Sequence, residues 1–165
     1  MNPKIMEEKI WTLLETVSDP EIPVLTVVDM GVVRKVNFHE DESVEIVITP
    51  TYSGCPAMNT IEMEIKATLE QAGIAPVKVT TVLSPAWTTQ WLSEAGRQKL
   101  EAYGIAPPVE ESVDKSALFT DEKEVPCPRC KSGNTRMVSQ FGSTACKALY
   151  QCKDCLEPFD YFKCH

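Results

Sequence analysis

The segment VEIVITPTYSGCPAMNTIEMEIKATL (residues 44–69) changes from the periodicity of a strand to that of a helix across one polar loop. Val44, Ile46 and Ile48 alternate with other residues, which predicts a strand with one buried face. Beyond the loop, apolar residues return at helical spacing. They are Met58, Ile61, Ile65 and Leu69. The segment therefore predicts a strand, a loop and a helix that begins at Cys55-Pro56.

Similar patterns on both sides extend this unit into a small α+β domain. Apolar residues from Met6 to Val17 repeat at helical spacing. Ser18-Asp19-Pro20 ends that helix, because the residue before a proline avoids the helical conformation. The predicted order is α-β-β-α-β-α, a three-stranded α+β sandwich over residues 1–105. We predict helices at 3–17, from Cys55-Pro56 onward and at 88–103, and strands at 32–38, 44–49 and 77–83.

Cys55 is the candidate functional thiol of this domain. We expect it at the N-cap of the second helix, since Pro56 suits the first helical position. The backbone N–H groups of Ala57 and Met58 and the helix dipole would then favour the thiolate, which makes a cysteine reactive. The alternative is that Cys55 is a small buried apolar residue, the more common role of a single cysteine. Thr51 and Ser53 are further candidate site residues in the loop, and Tyr52 adds a third hydroxyl group.

Asp29 lies at another strand-end turn and is a candidate neighbour of Cys55 across the sheet. The alternative is that its carboxylate forms hydrogen bonds within its own turn. The Cys55 loop contains no histidine to act as a base, so Cys–His hydrolase chemistry is poorly supported. No glycine-rich phosphate loop follows a strand, so nucleotide binding is unsupported as well. An enzyme in its own right is therefore the least favoured interpretation, because no general base accompanies the candidate nucleophile Cys55.

Charge and hydropathy exclude several classes of partner. The 165 residues carry a net charge of −8, which disfavours binding to nucleic acids and to anionic membrane surfaces. No apolar run approaches the roughly 18 residues that a membrane-spanning helix needs. The first residues include acids and no apolar core of a signal peptide, so we expect a cytoplasmic protein.

The cysteines indicate a second, metal-binding module. Six of the seven lie in the last 39 residues, and residues 106–124 form a proline-containing acidic linker before a module at 125–165. In a cytosolic chain this clustering favours metal binding over disulfides. The predicted metal ligands are Cys127, Cys130, Cys152 and Cys155. Two CxxC motifs separated by 21 residues have zinc-ribbon spacing and can close a tetrahedral structural site.

Other ligands and metals remain open at this stage. Cys146, Cys164 or His165 could replace one of the four cysteines or act as an exposed thiol or metal contact. Four thiolates also suit iron, in a rubredoxin-like or iron–sulfur site, although we favour zinc. The aromatic residues of the module are expected to pack around the CxxC motifs. They are Tyr150, Phe159, Tyr161 and Phe162.

Several segments resemble known families. Residues 19–24 (DPEIPV) and 49–57 (TPTYSGCPA) resemble the metal–sulfur cluster assembly family, whose members are small α+β proteins acting late in iron–sulfur protein maturation. Together with the cysteine-rich module, the chain is similar to the D-subunit family of the phenylacetyl-CoA 1,2-epoxidase system of phenylacetate degradation. The other segments that carry this resemblance are residues 85–91 (PAWTTQW), 103–108 (YGIAPP), 141–150 (FGSTACKALY) and 157–164 (EPFDYFKC).

The resemblance implies an accessory role. It predicts a maturation factor that helps to insert iron or an iron–sulfur cluster into the reductase or the di-iron oxygenase subunit. Its expected partners are therefore these two subunits and the iron–sulfur assembly machinery. The resemblance also associates the positions of Asp29 and Cys55 with the functional site, where iron or a cluster would be held transiently. The alternative is a structural or electron-transfer component of the epoxidase that acts in each turnover.

Overall fold

The computed structural model describes residues 2–109 and 124–163, which form two compact units divided between Gly96 and Arg97. The dividing point falls inside a helix that the chain forms at Glu94–Tyr103. None of the helices in the described ranges combines the length and apolarity that crossing a membrane requires.

The first unit contains a three-stranded sheet in the order β1-β2-β3. Strands β1 and β2 form an antiparallel hairpin, and β3 pairs in parallel with β2 after the intervening helix. Val44, Ile46 and Ile48 are buried, as their alternation predicts. Its elements are α1 (Pro3–Leu14), β1 (Val33–Phe38), β2 (Val44–Ile48), α2 (Ala57–Gln71), β3 (Val77–Thr81) and a short 3-10 helix (Thr89–Trp91). Helix α3 (Glu94–Tyr103) follows, and the division between the units falls within it. The predicted order α-β-β-α-β-α is confirmed.

The predicted third helix at 88–103 is wrong in its first half. The chain forms a 3-10 turn at Thr89–Trp91, and Leu92 then adopts an extended conformation (φ −66°, ψ 126°). The hydroxyl oxygen of Ser93 accepts a hydrogen bond from the N–H of Gly96 at 2.9 Å, as a helix N-cap does. Helix α3 therefore starts at Glu94. Likewise α1 ends at Leu14 rather than at residue 17, although Val17 is buried.

The second unit contains a four-stranded sheet in the order β4-β7-β6-β5. Its strands are β4 (Ile105–Ala106), β5 (Thr135–Ser139), β6 (Lys147–Cys152) and β7 (Pro158–Phe162). The short strand β4 pairs in parallel with β7, whereas β5, β6 and β7 are antiparallel. Residues 105–106 therefore belong to the sheet of the ribbon, although we expected a linker from residue 106. Most of that expected linker, residues 110–123, and Cys164 and His165 lie outside the described residues.

Aromatic residues and two cysteines share the core of this second unit. Tyr150 lies 5.9 Å from Phe159 and 5.5 Å from Tyr161, measured between ring centroids. Cys127 and Cys152 are buried in the same cluster. The prediction that aromatic residues pack around the CxxC motifs is therefore confirmed for Tyr150, Phe159 and Tyr161. The first cysteine of each motif belongs to this core, whereas the second cysteine of each motif is exposed.

Candidate functional site

Cys55 lies between the end of β2 and the start of α2, where the sequence predicted it. Its N–H donates to the carbonyl oxygen of Tyr52 at 3.3 Å, and its own carbonyl oxygen accepts from the N–H of Met58 at 3.3 Å. The N-cap of α2 is Pro56, whose φ and ψ are −68° and −22°. Helix α2 therefore begins one residue later than a Cys55 N-cap implies, although Pro56 already has helical dihedral angles and the N–H of Ala57 forms a hydrogen bond with the Cys55 sulfur.

The half-buried Cys55 thiol has a raised pKa, contrary to the expected thiolate. Burial is the largest cause, and the charges of Glu21 and Asp19 raise the pKa further. Hydrogen bonds from the N–H of Ala57 and from the Tyr52 side chain act in the opposite direction but are weaker. The helix N-terminus is thus close to the sulfur as predicted, but its donors do not compensate for the loss of water and the nearby carboxylates. Cys55 is a neutral thiol near pH 7.

Asp19 and Glu21 were not among the predicted site residues, although both lie in a segment that carried the family resemblance. Asp19 is buried, and its Oδ1 accepts hydrogen bonds from the N–H groups of Glu21 and Ile22, each at 2.8 Å. These bonds hold a tight turn that brings two carboxylates within electrostatic range of Cys55. The signal in the sequence was the turn motif Asp19-Pro20-Glu21, but nothing in it indicated which loop it approaches.

Asp29 has the local role that we considered as the alternative. Its Oδ2 accepts from the N–H of Thr26 at 3.1 Å, and its Oδ1 accepts from the Ser93 hydroxyl at 3.3 Å. Its carbonyl oxygen accepts from the N–H of Ser93 at 2.8 Å. Asp29 thereby joins its own turn to the residue that caps α3. These contacts do not test a role of Asp29 in the function of Cys55, which stays a prediction.

The hydroxyl groups around Cys55 differ in their surroundings. Thr51 is half-buried and Ser53 is exposed, and their predicted roles at the site are not tested. Thr49, the residue directly after β2, is 1% exposed, and its Oγ1 has no hydrogen-bond partner in the described part of the chain. A buried hydroxyl without a partner is uncommon in folded proteins and costs stability.

The turn that contains Asp29 packs against two tryptophans. The Trp87 indole N–H donates to the carbonyl oxygen of Met30 at 2.7 Å, and Trp87 is buried. Gly31 has φ +67°, and a Cβ added there would lie 2.4 Å from the carbonyl oxygen of Trp91. The guanidinium carbon of Arg34 lies 3.5 Å from the centre of the Trp91 ring. Glycine is therefore required at position 31 both for its conformation and for this close approach.

The four predicted metal ligands form one cluster. The sulfur atoms of Cys127, Cys130, Cys152 and Cys155 all lie within 4.8 Å of one another. Cys127 Sγ is 3.7 Å from Cys155 Sγ, and Cys130 Sγ is 3.5 Å from Cys152 Sγ. A tetrahedral zinc site with Zn–S bonds of about 2.3 Å separates its sulfur atoms by about 3.8 Å. The four cysteines therefore fit a tetrahedral four-thiolate metal site.

The pKa values of two cysteines in this cluster differ widely. The N–H of Cys155, which donates to Cys152 Sγ at 3.5 Å, is the main cause of a Cys152 pKa lowered to about 7. The N–H of Glu157 lowers the pKa of Cys155, but burial and the neighbouring sulfur atoms outweigh it and raise the value to about 12. Four adjacent thiolates repel one another, and a divalent metal ion removes that repulsion when it replaces the protons.

Cys146 does not take part in the described cluster. It is buried, and its Sγ lies 3.0 Å from Thr144 Oγ1. Its carbonyl oxygen accepts from the N–H of Lys163. Cys146 is therefore packed within the ribbon. The alternative ligands Cys164 and His165 lie outside the described residues.

Two parts of the chain match described protein families. Residues 7–83 match the family described as iron-sulfur cluster assembly protein, and residues 111–163 match the PaaD zinc beta ribbon domain. The first match contains both Asp19 and Cys55, and the second contains all four clustered cysteines.

Individual relatives agree with these matches. The chain is 35% identical to a Porphyromonas gingivalis protein named Fe-S protein maturation auxiliary factor, over 57% of this chain and 90% of that protein. It is 28% identical to a DUF59 domain from Bacillus anthracis, whose crystal structure superimposes with a TM-score of 0.55 over 59% of this chain and 92% of the other. An Escherichia coli protein named as a subunit of 1,2-phenylacetyl-CoA epoxidase is 49% identical over 94% of this chain and 92% of its own length. The chain therefore belongs to the PaaD family, in which an iron–sulfur cluster assembly domain precedes a zinc beta ribbon.

Proposed function

We propose that this protein is an accessory maturation factor of a phenylacetyl-CoA 1,2-epoxidase. It assists the insertion of iron or of an iron–sulfur cluster into the reductase or the di-iron oxygenase subunit, and it does not carry out the epoxidation itself. Its partners are then these subunits and the general iron–sulfur assembly machinery. The observation that carries the proposal is the presence in one chain of a half-buried thiol beside two carboxylates and of a separate four-cysteine site.

Cys55 is suited to hold iron rather than to attack a substrate. Its raised pKa leaves little thiolate near pH 7, which argues against a nucleophilic enzyme. The charges of Asp19 and Glu21 that disfavour the thiolate also attract a cation, since both effects follow from the same negative potential. When an iron ion approaches as cargo, the thiol can lose its proton and bind the metal through sulfur. The carboxylate oxygens are also suitable iron ligands.

The four-cysteine site has a different role in this proposal. Its closed ligand set suits a structural zinc ion, because no coordination position is left for a substrate. The Fe-S protein maturation auxiliary factor of Porphyromonas gingivalis matches only 57% of this chain, whereas the Escherichia coli epoxidase protein matches 94%. The ribbon has its own match to the PaaD zinc beta ribbon domain, and the relative named for the epoxidase matches nearly the whole chain. We therefore assign recognition of the client subunit to the ribbon.

The test is an omission experiment in cells. The epoxidase subunits are produced with the intact chain, without it, or with the Cys55→Ala variant, and then purified. Iron, acid-labile sulfide and turnover are measured for each subunit. We expect one subunit to lack iron or sulfide in both deficient preparations, and that subunit is the client. Met63→Ala, at a 71% exposed position on α2, is the matched control and should restore full loading.

Two results would overturn the proposal. If every subunit contains its normal iron and sulfide but turnover requires added protein, the chain is a working component of the enzyme. If Cys55→Ala loads the client as well as the intact chain does, Cys55 does not handle the cargo. An electron-transfer role additionally requires redox-active iron in the purified protein, so a colourless protein with one zinc ion per chain excludes that alternative.

A further inference from the structure

The two CxxC motifs are joined by a reciprocal pair of contacts. In each CxxC motif, the third residue contacts a residue that follows the other motif. The contacted residue lies two positions after the second cysteine of that other motif. Arg129 precedes Cys130 and contacts Glu157, and Asp154 precedes Cys155 and contacts Ser132. The sequence alone does not show this relation, because the contacting residues are 28 and 22 positions apart.

The backbone follows the same approximate twofold relation. Lys131 and Leu156, the residues directly after the second cysteines, both have φ 64° in the left-handed region. Such a conformation is costly for residues other than glycine, so its occurrence at both equivalent positions indicates two turns of the same shape. The two turns therefore present their contacting side chains toward each other in equivalent ways.

Asp154 makes two side-chain hydrogen bonds across the motifs, both at exposed positions. Its Oδ2 accepts from the Ser132 hydroxyl, and its Oδ1 accepts from the Asn134 side-chain amide at 2.8 Å. The backbone reinforces this connection, since the N–H of Lys153 donates to the carbonyl oxygen of Asn134 at 2.8 Å. Both oxygen atoms of one carboxylate thus hold the segment that follows the first CxxC motif. Hydrogen bonds to a charged acceptor are stronger than those between neutral groups.

The second contact is an exposed ion pair. Arg129 Nη1 lies 3.1 Å from Glu157 Oε1, and their side chains are 67% and 43% exposed. Exposed pairs of this kind contribute little to stability, because water and salt screen the two charges. The two contacts are therefore equivalent in position, but Asp154 makes two side-chain hydrogen bonds where Arg129 makes one with Glu157.

We propose that Asp154 and Arg129 are positioning residues of the metal site, which hold the two CxxC motifs at the separation that a tetrahedral metal ion requires, and that Asp154 is the principal one. Two close sulfur–sulfur contacts support this reasoning, because Cys127–Cys155 at 3.7 Å and Cys130–Cys152 at 3.5 Å both join one motif to the other. Without a fixed separation, the metal ion would have to bring the two halves together itself, at a cost in affinity. The proposal does not depend on which client the protein serves.

The test measures zinc affinity of the full chain by competition with a chromophoric chelator. Partners outside the ligand shell typically contribute about 10–100-fold to metal affinity. We expect Asp154→Ala to weaken zinc binding by at least about tenfold. Arg129→Ala should weaken it by no more than about fivefold, the equivalent of 1 kcal/mol for an exposed pair. Asp154→Asn keeps one acceptor oxygen and should fall between Asp154→Ala and the intact chain.

A spectroscopic readout separates positioning from general stability. Cobalt(II) replaces zinc in the full-length protein, and its visible absorption reports the geometry of the four sulfur ligands. We expect the absorption bands to shift in Asp154→Ala and in Ser132→Ala. Ser132→Ala is the milder change, because it keeps the carboxylate, and it serves as the test if Asp154→Ala does not fold. Unchanged zinc affinity and an unchanged cobalt spectrum in Ser132→Ala would overturn the proposal. An equal loss of affinity in Arg129→Ala and Asp154→Ala would overturn the assignment of Asp154 as the principal residue.

Discussion

Replacing Gly31 with alanine tests how tightly the Asp29 turn packs against the 3-10 segment. Gly31 has φ +67°, and an alanine Cβ there would lie 2.4 Å from the carbonyl oxygen and 2.8 Å from the Cβ of Trp91. Gly73 is a matched control, because it has φ +80° and no atom within 4 Å of an added Cβ. Both substitutions incur the cost of a left-handed alanine, about 1 kcal/mol. Only Gly31→Ala adds a steric overlap, which costs about 1–3 kcal/mol in packed interiors.

We therefore expect Gly73→Ala to lower the free energy of unfolding by about 1 kcal/mol. Gly31→Ala should lower it by about 2–4 kcal/mol, the sum of the two costs. Urea unfolding followed by tryptophan fluorescence measures both, and buried Trp87 reports on the affected contact. The difference between the variants isolates the steric cost. If Gly31→Ala is no more destabilising than Gly73→Ala, the close approach of the turn to Trp91 is not present in solution.

Substitutions at three further positions test the conformation of the ribbon, the surroundings of Cys55 and the buried hydroxyl of Thr49. Leu156 is 68% exposed with φ 64°, so Leu156→Gly should stabilise the metal-bound protein by about 1 kcal/mol in thermal unfolding, and Leu156→Ala should not. Because the pKa of Cys55 is raised, its alkylation by iodoacetamide should begin at higher pH than that of an ordinary thiol. Glu21→Gln removes a charge that raises this pKa and should move the alkylation profile to lower pH; an unmoved profile would contradict the electrostatic reasoning. Thr49→Val should raise the free energy of unfolding by about 1 kcal/mol, since it removes a buried hydroxyl without a partner in the described residues, and a loss of stability would show that the hydroxyl is bound.

Most of the fold could be predicted from the sequence, because it follows from local periodicity. The alternation at Val44–Ile48 and the helical stripe of α2 specify a strand and a helix whatever their neighbours are. The break before α3 also had a local signal, since Ser93 is a common helix N-cap residue, but the prediction did not use it and began the helix at residue 88. Strand β4 had no such signal: its two residues form a strand only because β7 lies beside them.

The candidate sites show the same difference between features set by local sequence and features set by distant residues. The four cysteines could be predicted because CxxC motifs form their ligand pairs locally. The surroundings of Cys55 could not, because Asp19 and Glu21 approach it from a turn more than thirty positions away in the sequence. That approach reverses the expected effect on the Cys55 pKa. Local chemistry placed the thiol near a helix N-terminus, but burial and distant charges determine its protonation.

The four-cysteine site and Cys55 differ in how firmly they would hold a metal ion, as their proposed roles require. Structural four-cysteine sites bind zinc with about 10–16 kcal/mol and retain it. Cys55 offers one thiol, and its raised pKa means that a metal ion must displace a proton in order to bind. Asp19 and Glu21 oppose the loss of that proton but attract the cation that replaces it. On the proposed function, iron binding at Cys55 would therefore be an exchange of proton for metal that reverses with pH and metal concentration. On the proposed function, one chain thus combines a metal ion that maintains a fold with a site where iron can arrive and leave.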